Sequence, residues 1–493
     1  MKALSEAGVE TKSLFKALAA VMAIQSIFML VCMIVGLSLG EGLAVIKSFS
    51  PPIALGILSL GASMVSLRPG RRPVLSHRTG YLFVTLAWVF STALGALPFT
   101  LSGFIPSYPA AYFETMSGFT TTGASVLSNI EGLSRSVLLW RATTHWLGGM
   151  GIVVLTVAIF PLLGLSGKTL MEAEAPGPSV DKFTPRLSQT AKILWFIYIG
   201  MTIIEIVLLL LGGMSLFDSV AHTFATMATG GFSTRNTSVA AFNSGYIDFV
   251  ITLFMMLAGM NFSLFWRLLQ GDLKTIIKDS EFKAYWVVFF TATGIMVFDL
   301  VRNGTYTSVG SALRFASFQA SSILTTTGFA TADYLQWPNL SQVMLFVLMF
   351  IGGCAGSTGG GVKVSRLVTM FKMGFSEMRY LLNPHGVYGV FVSGQYLRKN
   401  VVYDIAAMVF LYFVTAFVST IVVATGGYDI VTSLTATMAC LGNIGPGFSL
   451  VGPMYNYSFL PDYLLWWLSF TMLLGRLEVY TVLVLFTKAF WRR

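Results

Sequence analysis

The chain has 493 residues, of which 55% are hydrophobic and 11% are charged, and its mean hydropathy is +0.75. Soluble globular domains carry about 25% charged residues, so this composition excludes a soluble fold and predicts a membrane protein. The 31 lysines and arginines against 21 acidic residues give a net charge of +10, which by itself is compatible with nucleic acid, anionic lipid or membrane orientation.

Ten apolar segments are long enough to cross a bilayer as helices, since about 20 residues span its hydrocarbon core. They are predicted at residues 14–39, 44–67, 79–101, 137–163, 190–212, 246–268, 284–301, 341–373, 399–424 and 462–488. The eighth is predicted to be interrupted, and no interruption is predicted in the others.

The basic residues fall mainly on one side of these predicted spans. The termini and the connections after even-numbered spans together hold 24 of the 31 lysines and arginines. Membrane proteins accumulate such charge on their cytoplasmic side. The distribution therefore places both termini in the cytoplasm, and it explains the basic balance without nucleic acid as a partner. Membrane lipids are the expected surroundings of the spans.

Four connections on the other side each carry an apolar segment too short to span, followed by a turn rich in threonine and glycine. The turns read GFTTTGAS at 118–125, ATMATGGFS at 225–233, LTTTGFA at 324–330 and LGNIGPG at 441–447. With Gly123, Gly230, Gly328 and Gly445 taken as equivalent, the intervals are 107, 98 and 117 residues. The unit of span, half-helix, turn and span thus recurs four times.

The predicted fold is an all-α integral membrane protein in which four repeats surround one central pore with pseudo-fourfold symmetry. An extra N-terminal helix pair precedes them. The predicted boundaries are residues 1–78 for this pair and its cytoplasmic loop, then 79–189, 190–283, 284–398 and 399–493 for repeats 1 to 4.

The turns are predicted to line a watery cavity. Non-helical backbone at membrane depth is tolerated only where protein or water satisfies its polar groups. Glycine adopts positive φ without steric cost, so such a turn can aim successive carbonyl oxygens inward, and a ring of carbonyl oxygens can replace the hydration shell of a monovalent cation. The half-helix before each turn would direct the negative end of its dipole toward the same cavity.

These four turns, the eight-span core and the extra N-terminal pair resemble the Trk/Ktr/HKT superfamily of potassium transporters, and specifically its bacterial TrkH branch. The resemblance covers nearly the whole chain. It implies that the backbone carbonyls of each filter glycine and of the two residues before it coordinate K⁺. These residues are Thr121, Thr122, Gly123, Ala228, Thr229, Gly230, Thr326, Thr327, Gly328, Asn443, Ile444 and Gly445. The register in repeat 4 is left open, because its Asn-Ile-Gly-Pro sequence departs from the Thr-Gly ending of the others.

The resemblance has further implications. Plant members with serine in place of the first glycine transport sodium, so Gly123 and its three glycine counterparts favour potassium as the transported ion, with no organic cofactor. A homodimer in the bacterial cytoplasmic (inner) membrane and a TrkA-like ring of cytoplasmic nucleotide-binding regulatory subunits are also implied. The ring would contact the basic connections at 164–192 and 363–399.

A glycine-rich stretch interrupts the eighth span between Gly352 and Lys363. Its glycines are Gly352, Gly353, Gly356, Gly359, Gly360 and Gly361. Each costs a helix about 1 kcal/mol relative to alanine, so the segment should unwind near mid-membrane. A phosphate-binding loop is disfavoured because no Gly-Lys-Ser/Thr follows. The resemblance implies an intramembrane gating loop at 352–361, and the alternative is close helix packing; Lys363 either faces the cytosol or contributes to the gate.

Arg476 and His145 also lie within predicted spans. Arg476 lies in the last span, where a charge is costly and usually faces a cavity. The resemblance implies that it lines the pore beneath the filter, and the alternative is a structural pair with a carboxylate on another span. His145, in the fourth span, is expected to be a packed histidine rather than a proton relay.

Acidic residues on the outer side allow two interpretations, a negative vestibule that concentrates cations or a solvated rim. They are Glu114, Glu131, Asp218, Asp248, Asp333, Asp429 and Asp462.

The sequence contains no catalytic motif that would make the chain an enzyme. A secondary transporter of an organic solute is the competing class, because broken spans also build its binding sites. Four matching turns favour the ion. Whether transport is channel-like or coupled to H⁺ or Na⁺ stays open, with channel-like permeation favoured.

Overall fold

The computed structural model describes residues 11–65, 77–151 and 187–492. In this part of the chain the fold is almost entirely helical, and one short antiparallel hairpin, β1 (Phe391–Val392) and β2 (Gln395–Tyr396), is the sole sheet. The predicted all-α class is therefore confirmed.

The helices follow the predicted order of an N-terminal pair and four units. The pair is α1 (Thr11–Ser38) and α2 (Leu43–Val65). The first unit has α3 (His77–Leu101), α4 (Tyr108–Phe119) and α5 (Arg135–Gly149). The second has α6 (Leu187–Leu211), α7 (Leu216–Met227), α8 (Gly245–Ala258), α9 (Phe262–Leu269) and α10 (Leu273–Lys278). The third has α11 (Ser280–Arg302), α12 (Val309–Leu324), α13 (Asn339–Leu348) and α14 (Val364–Leu382).

The fourth unit has α15 (Lys399–Ala424), α16 (Ile430–Leu441), α17 (Asp462–Arg476), α18 (Tyr480–Leu483) and α19 (Lys488–Trp491). Single 3₁₀ turns lie at Ser238–Phe242, Tyr334–Gln336, Ser449–Val451 and Val484–Phe486. The unit boundaries drawn from the sequence stay a prediction.

Among the residues that the structure describes, six helices are long and apolar enough to cross a membrane, and eight candidate spans result if each of two bent pairs counts as one. The long spans expose apolar side chains on one side, as Phe196 and Leu211 of α6 do, with exposed fractions of 73% and 75%. Such a surface suits lipid, which cannot hydrogen-bond.

Two spans predicted without interruption are broken, and the prediction is wrong there. The sixth bends by 95° between α8 and α9, and the tenth by 113° between α17 and α18. In the sixth, Gly259 caps α8 and the Asn261 side chain accepts a hydrogen bond from the Ser263 amide at the start of α9. In the tenth, Glu478 and Val479 have φ of 56° and 61°, which no α-helix contains.

The fourth, sixth, eighth and tenth spans are the second spans of units 1 to 4. In the fourth and eighth, too, the helix is not continuous. The predicted interruption of the eighth is present, since α13 ends at Leu348 and α14 begins at Val364. In the fourth, α5 ends at Gly149, and residues 152–163 of the predicted span lie outside the described residues. Every unit therefore has a second span whose helix stops or bends.

The short helices α4, α7, α12 and α16 have 12, 12, 16 and 12 residues, fewer than the ~20 that cross a bilayer. Side chains cap three of them at the N-terminus, where Ser215, Ser308 and Asp429 each accept a backbone amide. Their C-terminal halves are buried among the spans. Each short helix thus starts at one face and ends inside the protein.

Candidate functional site

The short helices end in four turns with matching backbone conformations. We define turns 1 to 4 as residues 120–123, 228–231, 325–328 and 442–445. The second residue of each turn has positive φ: 55° at Thr121, 54° at Thr229, 60° at Thr326 and 53° at Asn443. The fourth residue is a glycine with positive φ as well: 82° at Gly123, 79° at Gly231, 83° at Gly328 and 97° at Gly445.

This pattern corrects the register of turn 2. The sequence pattern predicts Gly230 as the equivalent of Gly123, whereas the backbone conformation makes Gly231 the equivalent residue. The predicted triplet Ala228, Thr229 and Gly230 therefore moves by one residue, to Thr229, Gly230 and Gly231. The two adjacent glycines made both alignments possible, and only the backbone conformation distinguishes them. The triplets predicted for turns 1, 3 and 4 keep their register.

The hydrogen bonds of each turn form a Schellman motif. In turn 1 the Thr122 amide donates to the Ser117 carbonyl at 2.8 Å and the Thr121 amide donates to the Gly118 carbonyl at 3.1 Å. The corresponding amides are Gly230 and Thr229 in turn 2, Thr327 and Thr326 in turn 3, and Ile444 and Asn443 in turn 4.

The left-handed residue of a Schellman motif is usually glycine, because a side chain there costs about 1–2 kcal/mol. All four turns place threonine or asparagine at this position. Backbone outliers of this kind cluster at functional sites, where the surrounding structure holds them in place. All four are among the predicted filter residues, but their positive φ was not predicted, because only glycine was considered for that conformation.

The amides of the turns fix the direction of the carbonyl groups. The N–H of a trans peptide points opposite to the carbonyl of the same peptide unit. The Thr121 and Thr122 amides point back to α4, so the carbonyls of Thr120 and Thr121 point away from that helix. The same hydrogen bonds aim the corresponding carbonyls of the other turns away from their own helices.

The four turns touch one another in a closed cycle. A Cβ atom built on Gly123 would overlap the Gly230 carbonyl oxygen of turn 2. The same relation joins Gly231 to the Thr327 oxygen, Gly328 to the Ile444 oxygen and Gly445 to the Thr122 oxygen. Each fourth-position glycine thus lies against the third-position carbonyl of the next turn. Only glycine fits here, because any side chain would displace a neighbouring carbonyl.

Buried hydroxyl and amide groups surround the cycle. Thr120 and Thr122 share a hydrogen bond of 2.8 Å between their hydroxyls, and Thr325 and Thr327 share one of 2.7 Å. The Asn443 side-chain amide donates to the Thr122 hydroxyl at 3.0 Å and so ties turn 4 to turn 1. These side-chain hydrogen bonds stabilise the turns and join turn 4 to turn 1.

We define the glycine-rich loop as residues 352–363, and it packs directly against the turns. The Gly360 amide donates to the Thr326 hydroxyl at 2.7 Å. A Cβ on Gly360 would come within 2.5 Å of the Gly442 carbonyl oxygen, and one on Gly359 within 3.1 Å of the Thr325 carbonyl oxygen. Small residues are therefore required here by the close approach of turns 3 and 4.

The loop is also bound to the break in the sixth span. The Cys354 amide donates to the Gly259 carbonyl at 2.8 Å, and the Thr358 hydroxyl donates to the Ala258 carbonyl at 3.1 Å. In return, the Phe262 amide donates to the Gly356 carbonyl at 3.0 Å. The non-helical backbone of one break thus satisfies the polar groups of the other.

Arg476 joins the loop to the break after α5. Its guanidinium donates to the Thr358 carbonyl at 2.7 Å and to the Gly148 and Gly149 carbonyls at 2.6 and 2.9 Å. All three of these partners are backbone carbonyls, and the predicted place of Arg476 in a pore stays a prediction. Its neighbour Glu478 pairs instead with Arg366.

Two more side chains hold the loop. Lys363 is buried and its ammonium group donates to the Gly359 carbonyl, which answers the open question in favour of a contact within the loop rather than the cytosol. Glu281, at the start of α11, accepts hydrogen bonds from the Ala355 and Ser365 amides at 2.7 and 2.9 Å. Glu281 was not predicted as a site residue, and its position as an acidic residue at the boundary of the apolar seventh span was the available signal.

The outer acidic residues do not form a simple negative vestibule. Glu114, Asp218 and Asp248 are buried and paired with Arg141, Arg235 and Arg314, respectively. Asp429 caps α16, and the Thr432 hydroxyl and amide lower the pKa of its carboxyl. For these four residues the structure favours structural roles.

Substitutions at Gly231 and Ala228 of turn 2 are expected to differ in their effect on ion selectivity. Gly231→Ser should reduce cation selectivity strongly, because its Cβ would overlap the Thr327 carbonyl oxygen at a positive φ. Ala228→Gly should retain selectivity, because Ala228 has φ −79° and precedes the left-handed residue. Flux ratios of K⁺ and Na⁺ in proteoliposomes measure both. Equal losses of the K⁺/Na⁺ flux ratio in the two variants would favour the triplet Ala228, Thr229 and Gly230 instead.

Comparison with known proteins agrees with this architecture. Residues 56–493 match the family model described as TrkH, a cation transport protein. The Escherichia coli K12 Trk system potassium uptake protein TrkH is 39% identical over 459 residues, covering 92% of this chain and 93% of that protein. The corresponding Vibrio parahaemolyticus protein is 36% identical over 494 residues, covering 98% and 99%.

A solved structure is similar over nearly the full length. The crystal structure of the potassium transporter TrkH from Vibrio parahaemolyticus superimposes with a TM-score of 0.88 and 34% sequence identity, covering 98% of this chain and 100% of that one. The resemblance expected from the four turns is thereby confirmed, and the chain belongs to the TrkH family of cation transport proteins.

Proposed function

We propose that this chain takes up K⁺ across the membrane through a selectivity filter formed by turns 1 to 4. The closed cycle of carbonyl-bearing turns is the observation that carries the proposal. Its filter residues are Thr121, Thr122, Gly123, Thr229, Gly230, Gly231, Thr326, Thr327, Gly328, Asn443, Ile444 and Gly445. Relatives named as potassium uptake proteins support K⁺ as the transported ion.

The arrangement suits a dehydrated monovalent cation for physical reasons. Backbone carbonyl oxygens can replace its water shell without bearing full charges, so binding stays weak enough for release. The C-terminal ends of four short helices add partial negative charge toward the same place. The Schellman hydrogen bonds pre-order the first- and second-position carbonyls of each turn, so ion binding does not need to order these groups.

The glycine-rich loop would act as the gate below this filter. Its side chains are small and its backbone lies against turns 3 and 4, so it can obstruct a pore without presenting a charge. Opening requires a second backbone arrangement, which a segment with six glycines among residues 352–361 can adopt. Gly352, Gly353, Gly356, Gly359, Gly360, Gly361 and Lys363 are the proposed gate residues.

Arg476 would hold this gate closed. Arg476→Gln is expected to raise basal K⁺ flux about tenfold. One guanidinium donates to three backbone carbonyls, and a charge-assisted hydrogen bond contributes about 1.5–3 kcal/mol. Arg476→Lys keeps the charge but cannot reach three carbonyls at once, and should lie between wild type and the glutamine variant. Basal flux in both variants at or below the wild-type level would contradict a gate-holding role.

Orientation and partners follow from the same proposal. The Arg78 side chain donates to the Arg492 carbonyl, and Ser280 bonds to Ser393, so within each pair two segments predicted to be cytoplasmic are in contact, which supports a common face. We place both termini at this face, in the bacterial inner membrane. A homodimer and a cytoplasmic TrkA-like nucleotide-binding ring on the basic connections complete the proposed assembly.

Ion flux into proteoliposomes tests the function. The purified chain is reconstituted, and downhill fluxes of K⁺, Rb⁺, Na⁺ and Li⁺ are compared under voltage clamp without a proton gradient. Fluxes of K⁺ and Rb⁺ far above those of Na⁺ and Li⁺ are expected. Flux only under an imposed H⁺ or Na⁺ gradient would make the chain a coupled symporter, and no cation flux under any gradient would overturn the proposal in favour of an organic solute.

A further inference from the structure

Turn 2 differs from the other three turns at its third position. Thr122, Thr327 and Ile444 carry side chains there, whereas turn 2 has Gly230. Gly230 does not have positive φ, so its backbone conformation does not require glycine. The reason for a glycine at this position must therefore lie in its surroundings.

The imidazole of His145 occupies the place of the missing side chain. A Cβ built on Gly230 would lie 2.5 Å from the His145 Cγ atom and 2.7 Å from its Cε1 atom. His145 belongs to α5 of the first unit and its exposed fraction is 0%. In turn 2, a side chain from unit 1 thus fills the space next to the third position, where the other three turns carry a side chain of their own.

Both ring nitrogens of His145 are hydrogen-bonded, and the partners define its tautomer. The Phe232 amide can only donate, so Nε2 accepts from it at 3.2 Å. Nδ1 then carries the proton and donates to the Gly118 carbonyl at 2.8 Å. The neutral ring bridges the end of α4 and the residue that follows turn 2.

A second contact from unit 1 reinforces this bridge. The Phe232 ring packs against His145 with 4.0 Å between ring centroids, and the Arg141 Cζ atom lies 3.5 Å from the centroid of the Phe232 ring. Arg141 also donates to the Ser233 carbonyl at 2.9 Å and pairs with Glu114 at 2.7 Å. Residues 230–233 thus contact α5 through both His145 and Arg141.

We propose that His145 is a positioning residue for cation selectivity, which holds the Gly230 carbonyl in the cycle of turns by filling the space of the absent side chain and bonding the Phe232 amide. The inference rests on the proposed filter function. Because the Gly230 oxygen lies against Gly123, a shift of turn 2 would change the spacing of the carbonyls at that point of the cycle.

A double-mutant cycle between positions 145 and 230 tests the inference. His145→Ala leaves a cavity and frees the Phe232 amide, so the K⁺/Na⁺ flux ratio should fall about tenfold, the factor expected when one buried hydrogen bond is lost. Gly230→Thr alone should also lower the ratio, because its side chain would overlap the ring. Combining both changes builds a Thr-Thr-Gly turn with room for its side chain, and should recover part of the ratio.

The outcomes separate the possible explanations. A wild-type ratio in His145→Ala, or a double variant no better than the worse single variant, would overturn the inference. If the double variant does not assemble, as judged by size-exclusion chromatography, His145→Asn and His145→Gln decide: the first retains a donor near Nδ1 and the second an acceptor near Nε2. Selectivity retained in His145→Asn, which loses the bond from the Phe232 amide, would overturn the inference, whereas lower selectivity in His145→Asn than in His145→Gln supports it.

The same assay distinguishes this inference from the proposed function. A wild-type protein without preference for K⁺ would overturn the proposed filter. A selective wild type whose His145 variants are equally selective would overturn only the positioning role.

Discussion

Gly123→Ser is expected to lower the preference for K⁺ over Na⁺ by about tenfold or more, since backbone strain of about 1–3 kcal/mol must be relieved by moving turn 1 or its neighbour. Gly123 has φ +82°, and its new Cβ would overlap the Gly230 carbonyl oxygen. Displacing that oxygen changes the coordination distances that a K⁺ ion requires. The ratio of K⁺ to Na⁺ flux in proteoliposomes measures the effect.

The matched control is Gly103→Ser. Gly103 has nearly the same φ, +79°, but nothing lies within 4 Å of the position of its Cβ. This variant carries the same backbone strain without a neighbouring carbonyl, so its selectivity should equal that of the wild type. Unchanged selectivity in Gly123→Ser would remove Gly123 from the filter, and a matching loss in both variants would assign the effect to strain alone.

Deleting residues 356–359 is expected to raise basal K⁺ flux by more than tenfold. The deletion removes the Thr358 carbonyl that Arg476 binds and the Gly359 carbonyl that Lys363 binds, each a charge-assisted hydrogen bond of about 1.5–3 kcal/mol. It also shortens the segment that lies against turns 3 and 4. Flux in the absence of any regulatory subunit is the measurement.

The ion selectivity of this deletion variant is its internal control. The deletion leaves all four turns in place, so the K⁺/Na⁺ ratio of the increased flux should remain that of the wild type. An increased flux without selectivity would mean that the loop supports the filter rather than gates it. Basal flux equal to the wild type would reduce the loop to helix packing.

Much of the architecture was readable from the pattern of apolar segments. The short helices, the turns after them and the interruption between α13 and α14 were all predicted, because segment length and glycine content decide whether a helix can cross a bilayer. The breaks after Ala258 and Arg476 were not predicted. Both segments are predominantly apolar and long enough to span, so they predict continuous helices. Their bends are held by partners elsewhere: the loop amide of Cys354 at Gly259 and the Arg366 side chain at Glu478.

For the turns, too, some features were predicted from the sequence and others were not. Their existence followed from threonine and glycine at four repeated positions, but the register of turn 2 did not, because Gly230 and Gly231 are equally acceptable glycines in a linear sequence. The structure separates them through φ and through contacts with other units. The left-handed conformation at Thr121 and its counterparts was likewise hidden, since threonine gives no local signal for positive φ.

The sequence by itself determined the class of protein, the fourfold recurrence of its turns and its family, because hydrophobic length and repeated motifs are local properties of the chain. Tertiary structure alone decided which glycine lies against which carbonyl and that the His145 ring leaves no room for a side chain at position 230. It also decided that Arg476 donates to three carbonyls from two units. The physical reason is that these contacts join residues far apart in sequence, so the packing of the four units, rather than any local preference, fixes their geometry.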